Sequence, residues 1–432
     1  MILKIKSIFQ VELVKVGILN SIAVGFKMAA MFGINKILAI YVGPSGYALI
    51  GQFQNFIQII TTFGGGAINT GVTKYTAEYN SNKRQQQRLW STALALSILG
   101  SILMMLIIIY FRNEASIWLL HDEIYSNVFI WLGFSFIFLV LNTLFLAILN
   151  GKESIKLYVL ANIFGSIIAF VTILIFSSQK GLWGALVALS IYQALAFFST
   201  IAILKKTNWF RVENFIQKLD YVMARNLFKY ILMAFTTALC APLAQMIVRN
   251  FLLDRFGIYP ASYWDAMNRL SAGYLLIFTS ALTVYFLPKF SKLEDSKELK
   301  LEIFNGYKIV LPVVAICSVC VFIFRDNVIS VLFTKEFLPM GELFSWFMFG
   351  DVLKVGSWIA SFLLLSKAMT KTFILLEITF TLIYIALNLI LIDMYGIKGA
   401  AIAYAVTYLL YWLIMYLTVH KLILIVDYSK NS

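Results

Sequence analysis

Long apolar stretches and short charged intervals alternate along this chain from end to end. About twelve stretches reach the roughly 20 residues that a helix needs to cross a bilayer, at approximately 13–41, 45–73, 88–111, 126–149, 154–177, 181–204, 227–256, 263–287, 304–324, 340–365, 372–392 and 397–420. The pattern predicts an all-α, polytopic membrane protein. Two of the stretches carry their polar residues at helical spacing. Gln52, Asn55, Gln58 and Thr62 line up in the second, and Glu377, Thr381, Tyr384 and Asn388 in the eleventh, so each set is expected on one face, turned away from lipid.

The pattern also repeats. At an offset of about 213–215 residues the same features return in register: Thr73-Lys74-Tyr75-Thr76 against Pro288-Lys289-Phe290-Ser291, Phe111-Arg112-Asn113 against Phe324-Arg325-Asp326, Lys152 and Lys156 against Lys367 and Lys371, and Gly181-Leu182-Trp183-Gly184-Ala185 against Gly396-Ile397-Lys398-Gly399-Ala400. The shift spans an even number of helices, so both halves keep one orientation. The expectation is a parallel repeat: a six-helix lobe over 1–208, a cytoplasmic connector over 209–226 and a second six-helix lobe over 227–432, enclosing a central cavity between the lobes.

Composition agrees with the membrane reading. The chain is 61% hydrophobic and 13% charged. Its net charge of +14 is concentrated in intervals such as 205–229 and 289–308, whereas 41–46 and 177–180 are nearly bare. That asymmetry places both termini in the cytoplasm and accounts for the charge without a nucleic-acid partner. No signal peptide is read at the basic 1–10 segment. Cys240, Cys317 and Cys320 fall inside spans and read as small hydrophobes. His121 and His420 lie at span ends without a matched partner, so neither a catalytic constellation nor a metal site is expected.

The chemistry sits in charges at membrane depth, where the default reading is a bundle interior or a wet pathway. Lys27 and Lys36 lie in span one, Arg249 in span seven, Asp265 and Arg269 in span eight, Asp351 and Lys354 in span ten and Glu377 in span eleven. Asp351 and Lys354, three residues apart, share one helix face at about 60° and can neutralise each other. Asp265 and Arg269, at i and i+4, could likewise be an internal pair that only fixes packing. Arg249 and Glu377 lack a partner in their own helices, which favours a functional or lobe-bridging role. Lys27 and Lys36, nine residues apart, point in opposite directions on an ideal helix. Either span one bends near Gly33 or one of them faces elsewhere. Cations of this kind suit a phosphate or diphosphate, and amides with aromatic edges at Trp264, Trp346 and Trp358 suit sugar hydroxyls.

Four stretches, Gly43-Pro44-Ser45-Gly46, Gly71-Val72-Thr73-Lys74-Tyr75-Thr76-Ala77-Glu78-Tyr79, Tyr285-Phe286-Leu287-Pro288 and Gly350-Asp351-Val352-Leu353-Lys354-Val355-Gly356, resemble the Wzx-type lipid-linked oligosaccharide flippases, nearest the lipid III type. The likeness covers essentially the whole chain. It implies a member of the multidrug/oligosaccharidyl-lipid/polysaccharide exporter superfamily: a twelve-helix, two-lobe, alternating-access transporter of the bacterial inner membrane and not an enzyme. Its partners would be an undecaprenyl-diphosphate-linked oligosaccharide of O-antigen type, the surrounding membrane lipids and a polysaccharide polymerase. The resemblance implies substrate contacts at Lys27, Lys36, Arg249 and Lys354, with Asp351 and Glu377 as acids of the same set. Gln52, Asn55, Lys74 and Arg269 complete the candidate substrate contacts, and Asp265 joins Asp351 and Glu377 as charge partners or ion-coupling groups. No bound cofactor is expected; a proton or sodium gradient is the candidate energy source. Span eight departs from the lipid III type, which has S-D-A-Y where Ser271-Ala272-Gly273-Tyr274 stands here and lacks the charges at Asp265 and Arg269. The rival readings are a multidrug exporter of the same fold, which would favour an acidic cavity, and a membrane-embedded polymerase, which would need a large outer loop.

Overall fold

The computed structural model describes the backbone of residues 2–80, 82–217, 220–293, 295–366 and 369–431. No strand occurs among the described residues. The helices are α1 (Ile2–Tyr41), α2 (Gly43–Phe63), α3 (Asn69–Glu78), α4 (Lys83–Tyr110), α5 (Arg112–Leu120), α6 (Ser126–Gly151), α7 (Ile155–Leu204), α8 (Tyr221–Phe256), α9 (Ile258–Lys292), α10 (Ser296–Ile323), α11 (Arg325–Leu332), α12 (Phe344–Ser366), α13 (Thr370–Tyr395) and α14 (Ile397–Asn431). Eight helical stretches among the described residues are long and apolar enough to cross a membrane; one of them, α7, is two helices joined at Gly181. The protein is a polytopic all-α membrane protein, and the expected spans fall on this series of helices. Span two differs: it is α2 and α3 separated by a break at Gly64-Gly65-Gly66, where Gly65 takes φ 124°, a backbone that a side chain would strain.

The internal repeat is visible in backbone geometry. Gly181 has φ 54° and ψ −132°, and Gly396, 215 residues on, has φ 63° and ψ −146°. Three residues after each, a second glycine lets the chain fold back on itself. A Cβ at Gly184 would stand 1.9 Å from the Phe176 carbonyl oxygen, and one at Gly399 would stand 1.9 Å from that of Leu391. Only glycine is compatible with either site. Phe111 and Phe324, which end α4 and α10, share φ −92° and −93° with ψ 23° and 18°. Lys367, the expected counterpart of Lys152, lies outside the described residues, as does the side chain of His420.

The chain divides into two compact units, 1–42 with 49–242 and 43–48 with 243–432. The division falls at Pro242 within α8, not in the 209–226 interval, and proline at a helix interior removes one backbone hydrogen bond and crowds the preceding turn. The interval expected to be a connector is instead bound into the first unit. Trp209 and Phe215 pack on Trp90, and Phe210 and Phe215 on Phe145. Ser91 Oγ donates to the Phe215 carbonyl at 2.7 Å and accepts from the Gln217 N–H at 2.6 Å. The first unit is otherwise built on α1, α4, α6 and α7, with Leu132, Leu139, Leu144, Ile148 and Leu186 fully buried between them.

In the second unit α12 is the central helix, packed by α9, α10 and α14. The first turn of α2 belongs to this unit for identifiable reasons. Ser262 Oγ donates to the Pro44 carbonyl and accepts from the Ala48 N–H at 3.2 Å. The Tyr47 ring lies edge-on to Phe333 and Phe337, at 6.0 and 5.2 Å between centroids.

Candidate functional site

In the second unit the candidate charges other than Glu377 fall into two clusters, one adding a partner to its expected pair and the other joining its pair through a hydroxyl. In the first, Asp265 on α9 receives Arg249 of α8 on Oδ1 and Arg269, one turn along its own helix, on Oδ2 at 2.8 Å. The i,i+4 pair therefore forms, and Arg249 has a partner on the neighbouring helix of the same unit. Arg249 is fully buried, with its guanidinium 5.7 Å from the Trp264 ring; that of Arg269 lies 4.8 Å over Tyr47. A guanidinium committed to a buried carboxylate and shut from water is held for packing, so Arg249 does not present an open contact to a ligand.

The second cluster surrounds Asp351 on α12, which is fully buried. Its carboxylate accepts three hydroxyls: Ser271 Oγ and Tyr404 Oη on Oδ1, at 2.5 and 2.6 Å, and Tyr274 Oη on Oδ2 at 2.5 Å. Lys354 makes no direct salt bridge to it. Instead, Lys354 Nζ donates to Tyr404 Oη at 3.2 Å, so the tyrosine hydroxyl joins ammonium to carboxylate. The ammonium stands 4.9, 5.2 and 5.6 Å from the centroids of Tyr408, Tyr404 and Trp358. Aromatic faces stabilise a cation without neutralising it. Lys354 is thus a half-buried positive charge bonded to a neutral oxygen. The glycine of the Gly350-Asp351-Val352-Leu353-Lys354 motif has a matching role, because a Cβ at Gly350 would lie 2.5 Å from the Tyr404 ring. Without a side chain there, α14 can approach α12 closely enough to deliver that hydroxyl.

Glu377 on α13 is half-buried and within electrostatic reach of Tyr408 and Tyr411; its carbonyl accepts from Thr381 Oγ1 at 2.7 Å, while its carboxylate makes no hydrogen bond or ion pair among the described residues. Tyr404, Tyr408 and Tyr411 carry no charge to single them out in the sequence, although their i, i+4, i+7 spacing marks one face of α14. Ser271 and Tyr274, three residues apart on α9, form the matching pair.

The first unit holds the other candidates. Helix α1 is assigned unbroken through Gly33; Lys27 is exposed, and Lys36 is half-buried and already engaged within the protein. Lys74 is exposed on α3, 5.5 Å from the Tyr75 ring. Gln52 and Asn55 are buried and already engaged within the protein. The stripe predicted on α2 therefore splits. Gln58 and Thr62 line a cavity of about 430 Å³ in this unit, but the residues that join them there are Gln54 and Thr61. No group of three or more metal-ligating side chains occurs among the described residues.

Comparison with known proteins places this geometry in context. Residues 13–294 match the model of a family described as polysaccharide biosynthesis protein. The chain is 30% identical over 387 residues to the lipid III flippase of Escherichia coli (strain K12), covering 89% of this chain and 93% of the relative. The same figures hold for the lipid III flippase of Shigella flexneri. Among solved structures, an inward-facing multidrug resistance MATE family transporter of the MOP superfamily superposes with a TM-score of 0.78, at 15% identity over 93% of this chain and 95% of that one. A MOP superfamily transporter from Pyrococcus furiosus, whose binding pocket is described as having reverse polarity, superposes with a TM-score of 0.73 at 15% identity over 96% of each. At that identity both show the fold and nothing further.

Proposed function

The chain belongs to the polysaccharide biosynthesis protein family, and from that premise we propose that it is a flippase for lipid-linked oligosaccharides. Its substrate is an undecaprenyl diphosphate carrying a short, O-antigen-like repeat unit. The head group passes from the cytoplasmic to the periplasmic leaflet of the bacterial inner membrane by alternating access, both termini remaining cytoplasmic. Carrying a polar head through a hydrated protein interior avoids the desolvation that blocks its unaided passage through hydrocarbon.

The observation in the geometry that supports this reading is Lys354: an ammonium at membrane depth, held by aromatic rings and, among the described residues, bonded only to a neutral hydroxyl. Such a cation keeps its charge available for a diphosphate oxygen. Asp351 then acts through Tyr404, fixing the hydroxyl that orients the ammonium, and is a positioning residue. Glu377 and Asp351 are the groups through which a proton or sodium gradient would act on the cycle. The multidrug-exporter reading rests on fold likeness alone.

The test is Lys354→Ala in a strain whose own flippase has been deleted. Lipid-linked repeat units should accumulate on the cytoplasmic side, and Lys354→Arg should restore part of the surface polysaccharide. Normal surface polysaccharide from Lys354→Ala, at normal protein abundance, would sink the proposal.

A further inference from the structure

The cavity of the first unit differs in chemistry from the clusters of the second. It is bounded by α2, by Gly66 and Asn69, by the later half of α7 and by Ala238 of α8, and among the described residues no lysine, arginine, aspartate or glutamate lines it. Its volume of about 430 Å³ falls within the ~300–1,000 Å³ typical of small-molecule sites. What lines it is a set of neutral hydrogen-bonding groups with capacity to spare. The side-chain amides of Gln54 and Gln58 have no protein partner among the described residues. Asn69 Oδ1 is a buried acceptor that no donor among the described residues reaches. Tyr192 Oη accepts from Gln193 Nε2 at 3.1 Å, which leaves its own O–H free to donate. Thr61 and Thr62 donate to carbonyls of their own helix at 2.6 and 3.0 Å, leaving lone pairs that face outward from those bonds.

A buried acceptor without a partner is costly; with Asn69 Oδ1 in that state, and the half-buried Gln54 and exposed Gln58 amides beside it free to bond, the cavity is a place where partners arrive from elsewhere. Among the described residues a phosphate would find no cation there, and a cationic ligand no acid. An uncharged sugar fits, because each of its hydroxyls both donates and accepts, and an acetamido group matches a glutamine amide in both directions. We infer that this cavity is a subsite for an uncharged, N-acetylated sugar of the transported head group. The inference rests on the flippase reading and adds to it a division of labour: sugar recognition in the first unit, diphosphate recognition at Lys354 in the second.

The double substitution Gln54→Leu with Gln58→Leu tests it, supported by Gln58→Glu, a shape-conserving change at an exposed side chain. Purified full-length protein in nanodiscs is titrated with undecaprenyl diphosphate bearing one N-acetylhexosamine and, separately, with undecaprenyl diphosphate alone. Wild type should prefer the glycosylated lipid. The leucine pair should weaken its binding at least tenfold, about 1.4 kcal/mol, and leave the bare lipid unchanged. Gln58→Glu should weaken it in the same selective sense, whereas Lys354→Ala should weaken both lipids alike. A wild-type preference that survives both glutamine variants, or an equal loss for both lipids, overturns the subsite and leaves the flippase reading standing. A wild-type protein that binds neither lipid refutes that reading and the subsite with it.

Discussion

Asp265→Asn removes one charge and almost no volume, and the structure sets a large effect for it. The carboxylate is shared by two guanidiniums, with side-chain exposures of 1% for Arg249, 14% for Arg269 and 5% for Asp265. An asparagine offers a single acceptor and no charge, so two cations are left facing each other across it, one of them sealed from water. Breaking a buried ion pair from one side costs about 3–5 kcal/mol. Arg269, nearer to solvent, recovers part of its loss through water. At about 2–4 °C per kcal/mol for a unit of this size, the melting temperature should fall by about 6–20 °C. The assay is thermal unfolding in detergent, followed by intrinsic tryptophan fluorescence. A second substitution supplies the sign test: adding Arg249→Met removes the stranded cation, so the double variant should melt above Asp265→Asn alone. A single variant within about 2 °C of wild type, or a double variant that falls by the sum of its parts, would refute the assignment of Arg249 to packing.

Three further outcomes follow from the same geometry. Tyr404→Phe keeps the ring against Phe347 and the ammonium but deletes the hydroxyl between Lys354 and Asp351; transport should drop severalfold with a stability loss of about 1–3 kcal/mol, and unchanged transport in vesicles would contradict the linkage. Gly181→Ala and Gly396→Ala force a side chain into backbone conformations that disfavour it, at about 1–3 kcal/mol each, so the two melting temperatures should fall by similar amounts; a drop confined to one would show that the repeat is not equivalent at these turns. Glu377→Gln should leave lipid binding intact while abolishing the response of transport to an imposed proton or sodium gradient, read as uptake with and without the gradient. Persistence of that response would remove Glu377 from coupling.

Much of the fold was legible because bilayer physics writes it plainly. Apolar length marks the spans on α1, α4, α6, α7, α10, α12, α13 and α14, and the glycines at 181 and 396 recur in register because the same turn needs them twice. The break within span two was harder to read: hydropathy does not register a conformation that depends on three consecutive glycines. The site was legible in its members more than in its connections. Asp351 and Lys354 drew attention as charges, yet their proximity on one helix face suggested a direct pair, whereas the linking hydroxyl comes from α14, 50 residues beyond Lys354. Arg249 looked solitary because its partner sits on the next helix, 16 residues away. The stripe on α2 was assigned to one face, but the cavity selects Gln54, Gln58, Thr61 and Thr62 and turns Gln52 and Asn55 into the core. Partner choice between helices depends on their rotation and separation, which periodicity along one helix does not contain.

The central claim is that this protein carries lipid-linked oligosaccharide across a bilayer and that Lys354 engages the charged head as it does so. Its most direct test is translocation in proteoliposomes, with a fluorophore on the saccharide of undecaprenyl-diphosphate-linked N-acetylhexosamine and a membrane-impermeant quencher added outside. Wild-type protein should expose the inner-leaflet lipid to the quencher, and Lys354→Ala should slow that exposure at least tenfold at equal incorporation. A wild-type rate no faster than that of protein-free vesicles would contradict the account.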